Sequence, residues 1–182
     1  DDDIENDLAI GVPFEDVDSD NSAGAVSLFY GVAFEAMAPG PFVTQDTPTI
    51  DTSCEPSDYF GWSLATGNLD QDAEETDELV IGASGESIGS ITNAGLVHVL
   101  YGSASGVQTT GDQAFSMEDA GLPGALVDDR FGFAVALGDF DGNGRNDLAA
   151  GGPSYSTGSS SGGFVQVFYA GVSEDCLDAV DF

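Results

Sequence analysis

Lysine is absent from this chain, and arginine occurs only as Arg130 and Arg145, against 33 acidic residues. The formal charge of −31 argues against nucleic acid, whose phosphates need Lys and Arg, and against anionic membrane surfaces. So many like charges in one folded body repel one another. Divalent cations could offset them, and so could salt screening of a halophile-like acidic surface. Histidine occurs once, at His98, on a polar position of an alternating segment with no nucleophile motif beside it. That reads as a strand-face residue rather than a catalytic one. Gly82-Ala83-Ser84-Gly85 lacks the G-x-S-x-G spacing of a nucleophile elbow. No acid/base pair can be singled out from so many carboxylates. No enzyme activity is expected.

Cysteine is scarce too: only Cys54 and Cys176, with no C-x-x-C spacing. In an extracellular chain they could form a disulfide, within one chain or between copies, and two free thiols remain an open alternative. No run approaches the roughly 20 apolar residues of a membrane span. No basic, apolar leader opens the sequence, which reads as a mature product or an excerpt.

What is present is ordinary apolar content, 41%, and 25 glycines, a composition for many short strands joined by tight turns. Three segments align: 6–12, 77–83 and 146–152, each an apolar run after an acidic residue and closed by Gly. A second strand follows each, at 24–30, 95–101 and 163–169. There Val26/Leu28, Val97/Val99 and Val165/Val167 alternate with Ser27, His98 and Gln166, which puts the apolar residues on one strand face. A third element, 58–65 and 129–136, precedes two of the repeats. Phe60 and Phe131 are 71 residues apart, as are Tyr30 and Tyr101. Such periods mean a propeller or related array in which each unit buries its face against the next. Phe60, Trp62, Phe131 and Phe133 are expected in the core between units.

Phe131-Gly132, then 138–148 (GDFDGNGRNDL), then Gly151-Gly152-Pro153 resembles a full FG-GAP repeat of the integrin α-subunit propeller. Phe60-Gly61 with Gly82-Ala83-Ser84 resembles it less closely. The resemblance implies an all-β fold of four-stranded antiparallel blades with calcium between the first two strands of a blade. The repeats divide as 1–45 (lacking its own first strand), 46–115, 116–172, and 173–182 as the start of a shortened unit.

The loops carry the chemistry. In Asp139-x-Asp141-x-Asn143-x-Arg145-x-Asp147, alternate residues of a tight turn can point inward together. Side-chain oxygens and the carbonyl of Arg145 would then form the oxygen-only cage that Ca²⁺ prefers. Gly142 and Gly144 permit the turn. The middle loop, Asn68-x-Asp70-x-Asp72, lacks these glycines and is two residues longer, with Asp77 or Glu78 as its last ligand. The chain opens with Asp1, Asp3, Glu5 and Asp7 and closes with Asp181-Phe182. Read end to start, these match 139–148 position for position, so the termini read as two halves of one loop shared between copies. Tyr30 to Asp70 and Tyr101 to Asp141 both span 40 residues, but Tyr169 to the Asp1 of a following copy spans 14. That joint is shortened, and a Cys54–Cys176 bridge would reinforce it. The run 16–21 (DVDSDN) alternates as well but reads as a solvated hairpin tip.

The expected function is an extracellular, calcium-rigidified structural module joined head to tail with copies of itself into a fibre, sheath or larger propeller. The alternative is a segment of an integrin-like adhesin propeller that grips a protein or glycan. A third is the non-catalytic propeller of a secreted hydrolase.

Overall fold

The computed structural model describes residues 5–69, 76–119, 125–154 and 162–170, and the backbone of 178–179. Every regular element among them is a β-strand, and every strand pairing is antiparallel. Sheet 1 contains β1 (Leu8–Val12), β2 (Ala25–Tyr30) and β3 (Ala38–Val43). Sheet 2 contains β4 (Phe60–Gly67), β5 (Glu78–Ala83), β6 (Leu96–Tyr101) and β7 (Gln108–Phe115). Sheet 3 contains β8 (Ala134–Gly138), β9 (Asp147–Gly152), β10 (Phe164–Tyr169) and the short β11 (Asp178–Ala179), which pairs with β10. The chain is all-β, in sheets of three or four strands ordered as in propeller blades. The paired elements expected from the repeats are β1/β2, β5/β6 and β9/β10, and the Phe-Gly elements lead into β4 and β8. The outer strands β3 and β7 carry Pro, Gly and polar residues in weak alternation and were not legible.

The Phe-Gly pair is where one sheet docks on the next. Phe60 N–H donates to Ala23 O at 2.9 Å, and Phe131 N–H donates to Ala94 O at 2.8 Å. Each following glycine turns the chain at positive φ, 87° at Gly61 and 78° at Gly132. Its backbone then lies against a glycine of the previous sheet. A Cβ on Gly11 would sit 2.0 Å from Gly61 O, and one on Gly82 would sit 2.0 Å from Gly132 O. The motif glycines are therefore steric requirements of sheet-on-sheet contact.

Phe60 and Phe131 are fully buried, each in its own core. Between sheets 1 and 2, Phe60 packs with Val26, Leu28, Ile81 and Leu100. Between sheets 2 and 3, Phe131 packs with Val97, Val99, Leu148 and Phe168. Trp62 and Phe133 depart from the core assignment. They are half-buried and form, with Phe14 and Tyr59, a surface run of rings 5.1–6.0 Å apart. In strand alternation they fall on the same side as Phe60 and Phe131, but the positive-φ glycine between bends the chain and breaks that alternation.

The valine face of the second strand follows its neighbours. In β2 and β6 it is buried against the next sheet. In β10 Val165 is 70% exposed while Gln166 and Phe168 are buried. No further sheet covers that face among the described residues. Sheet 2 is covered on both sides, so its polar face is buried as well and His98 is 0% exposed.

Candidate metal centre

The loop between β8 and β9 is held open by its own carboxylates. Asp139 Oδ1 accepts the N–H groups of Gly142 (2.7 Å) and Asn143 (3.0 Å), and its Oδ2 accepts that of Gly144 (2.9 Å). Asp141 Oδ1 accepts Asn143 N–H at 2.9 Å, and Asn143 Oδ1 accepts Arg145 N–H at 2.7 Å. Gly142 and Gly144 have φ of 81° and 88°, the left-handed conformation a side chain would resist. Asp147 enters from the first position of β9, buried, and its carboxylate accepts Phe140 N–H at 2.8 Å and Ala170 N–H at 3.0 Å.

This folding brings one carboxylate oxygen from each of Asp139, Asp141 and Asp147 within 4.8 Å of one another. Three hard anionic donors at this separation, on a glycine-bent loop, suit Ca²⁺, which takes oxygen ligands at about 2.3–2.6 Å. Asn143 belongs to the same loop, with its side chain engaged by Asp141 and Ala170 O. The donor set fits the ion expected from the sequence.

The other two loops share the last position. Glu78 is buried at the start of β5. Its carboxylate accepts Leu69 N–H at 2.5 Å and Gly102 N–H at 3.5 Å. It therefore stands where Asp147 stands, while Asp77 is exposed. In sheet 1, Asp7 Oδ1 accepts Gly31 N–H at 2.9 Å. Asp7, Glu78 and Asp147 thus each fasten a loop to the residue after the second strand. Glu5, Asp7 and Asp77 line one cleft between sheets 1 and 2, with Thr66 and Thr76. Asn68 is half-buried. Asp70, Asp72, Asp1, Asp3, Asp181 and Cys176 lie outside the described residues. Cys54 is buried, and burial pushes its thiol up, with the nearby Asp46 charge adding to the effect. The run 16–21 closes as an exposed tip through the Val17–Asp20 bridge and Ser22 N–H on Asp16 (2.8 Å).

A second polar cluster, not legible from motif spacing, crosses between sheets 1 and 2. His98 Nδ1 is 3.3 Å from Asp112 Oδ2, and His98 Nε2 is 3.4 Å from Thr52 Oγ1. Gln45 Nε2 bonds both Thr52 Oγ1 (3.2 Å) and Glu86 Oε2 (2.5 Å). The Asp–His–Thr connectivity is that of a charge relay, but no substrate atom can reach an imidazole that is fully buried. Asp58 adjoins this cluster. Its Oδ2 accepts Glu55 N–H (2.6 Å), its main-chain O accepts Gly85 N–H (2.9 Å), and its Oδ1 is buried without a partner. Burial first, and the Glu86 charge second, push the Asp58 carboxyl up to about 7. Burial also pushes Glu86 up, against the lowering effects of Gln45 and His98. The 71-residue repeat pairs Asp58 with Asp129, which caps the same turn through Leu126 N–H (2.5 Å).

Comparison with known proteins agrees with this geometry. The FG-GAP repeat family model matches residues 131–168, from the Phe-Gly pair through β10. Similar proteins include phosphatidylinositol-glycan-specific phospholipase D of Rattus norvegicus, 37% identical over 112 residues, covering 60% of this chain and 13% of that protein. The Bos taurus protein of the same name is 33% identical over 122 residues, covering 62% and 14%. The Homo sapiens one is 34% identical over 95 residues, covering 52% and 11%. The chain thus spans about an eighth of the length of these relatives. The matched segment identifies residues 131–168 as an FG-GAP repeat, and Phe60-Gly61 docks the preceding sheet as Phe131-Gly132 does, in propeller-like sheets.

Proposed function

We propose that this chain is a non-catalytic, calcium-stapled segment of an extracellular β-propeller, with calcium held by Asp139, Asp141 and Asp147 and the Asn143 and Arg145 positions of the same loop. The observation that carries this reading is the convergence of the three carboxylates within 4.8 Å in a chain with a formal charge of −31. Calcium binds the folded loop and not the unfolded chain. At about 100 times its dissociation constant it stabilises by about 2.7 kcal/mol, or roughly 5–10 °C in melting temperature for a chain of this size. Titrating calcium into chelator-stripped protein tests the site. The expected result is a melting temperature that rises with calcium in the wild type and rises less in Asp139→Ala/Asp141→Ala. Equal responses of the two proteins would overturn it.

We further propose that the stack continues at both ends. Leu8 and Ile10 of β1 are 45% and 43% exposed, Val165 of β10 is 70% exposed, and among the described residues no strand stands beside β1 as β4 and β8 stand in their sheets. Copies of this chain joined head to tail would cover these surfaces, as the matching ends of the sequence suggest. The named relatives favour a second reading, in which the segment is the accessory propeller of a secreted hydrolase and the neighbouring blades come from the same polypeptide. Electron microscopy of the purified chain in calcium distinguishes them: continuous polymer supports the first reading and discrete single-chain particles the second. An adhesin-like grip on a protein or glycan is supported by no comparable observation.

A further inference from the structure

Asp58 and Glu86 are buried together where sheet 1 meets sheet 2, at 1% and 6% exposure. They are brought together by backbone: Asp58 O accepts the N–H of Gly85, the residue before Glu86. Among the described residues no Lys or Arg faces them, and the one basic group near Glu86 is His98, whose charge lowers the Glu86 carboxyl. Arg130 and Arg145 lie in other turns, there is no lysine, and His98 is occupied by Asp112 and Thr52. The remaining charged neighbours of Asp58 are Glu55 and Asp20, both acidic, and Asp46 and the Cys54 thiol sit in the linker alongside. Glu86 has a donor, Gln45 Nε2. Asp58 Oδ1 has none.

Two buried like charges without a counter-ion cannot both stay ionised cheaply. We propose that the contact between sheets 1 and 2 is a proton-binding site, with the proton held on Asp58 Oδ1 while Glu86 stays ionised against Gln45. The proton comes from solvent and leaves the pair with a single negative charge. Asp58, not Glu86, holds it, because of the two only Asp58 has a fully buried oxygen without a partner among the described residues. The sign of the linkage follows from Asp58, whose carboxyl rises from 3.8 to about 7. A group raised on folding contributes stability that is full below 3.8 and is lost as pH rises through about 7. This interface therefore tightens on acidification, opposite to the usual effect of carboxylates paired with cations.

The test is a set of thermal melts of the 182-residue chain with chelator and constant salt, at about pH 5 and about pH 8. Asp58→Asn keeps the acceptor for Glu55 N–H and removes the charge at the buried Oδ1 position. It is expected to melt with the wild type at the lower pH and about 4–8 °C above it at the higher. Glu86→Gln, which leaves the Asp58 turn intact, is the second variant and is expected to shift the same way. Asp129→Asn, in the matching turn without a buried glutamate opposite, is expected to shift less. Parallel pH curves for wild type and both variants would overturn the proposal, as would an equal shift in Asp129→Asn. So would recovery of the wild-type melting temperature at about pH 8 on adding calcium in an Asp139→Ala/Asp141→Ala background, which would make the occupant a cation.

Discussion

Ala170 donates its backbone N–H to the buried carboxylate of Asp147 at 3.0 Å, so the last acidic residue of the loop is also the latch that ties β9 to the end of β10. Its other oxygen takes Phe140 N–H. Removing the carboxylate leaves two donors short of a partner, at about 1–3 kcal/mol each. Asp147→Ala is expected to lower stability by about 2–4 kcal/mol even in chelator. Asp141→Ala, on an exposed position, is expected to lower only the calcium-dependent part. Urea unfolding with and without calcium separates them, and equal losses in chelator would contradict the latch.

The middle loop offers the same contrast between neighbours. Glu78 is buried and holds Leu69 and Gly102 by their backbone N–H groups, whereas Asp77 is exposed. Glu78→Ala is expected to cost about 2–5 kcal/mol and Asp77→Ala no more than about 0.5 kcal/mol. Denaturation midpoints of the two single variants check this, and the reverse order would refute it.

Gly132 combines a φ of 78° with a backbone neighbour: an added Cβ would meet Leu96 O at 2.5 Å. Strained backbone alone costs about 1–3 kcal/mol, and the carbonyl contact adds to it. Gly132→Ala is expected to loosen sheet 3 from sheet 2, read as faster hydrogen exchange at Phe131, whose N–H donates to Ala94 O. Gly142→Ala has open space around its Cβ, so it is expected to lose only the φ preference, about 1 kcal/mol.

Val165, 70% exposed on the face that β2 and β6 bury, makes stacking between copies measurable. Under head-to-tail assembly, Val165→Lys is expected to abolish concentration-dependent association in calcium while shifting monomer stability by no more than about 0.5 kcal/mol. Sedimentation at rising concentration is the readout. A wild type that stays monomeric throughout would refute assembly through this face and favour blades from one polypeptide.

The sequence by itself determined the strands that repeat, the Phe-Gly elements that precede them and the glycine-bent loop from Asp139 to Asp147. These are local facts: alternation, acid spacing and the conformational freedom of glycine act within a few residues. Tertiary structure alone decided the rest, because burial depends on what lies opposite. It buried Glu78 in register with Gly67 and left Asp77 exposed. It moved Trp62 and Phe133 from the core to a surface run. It exposed Val165 in a strand whose counterparts are buried. It also brought Gln45, Thr52, Asp58, Glu86, His98 and Asp112 to one interface from four separate segments, a convergence that no spacing along the chain encodes and that exists only because sheet 1 closes over the polar face of sheet 2.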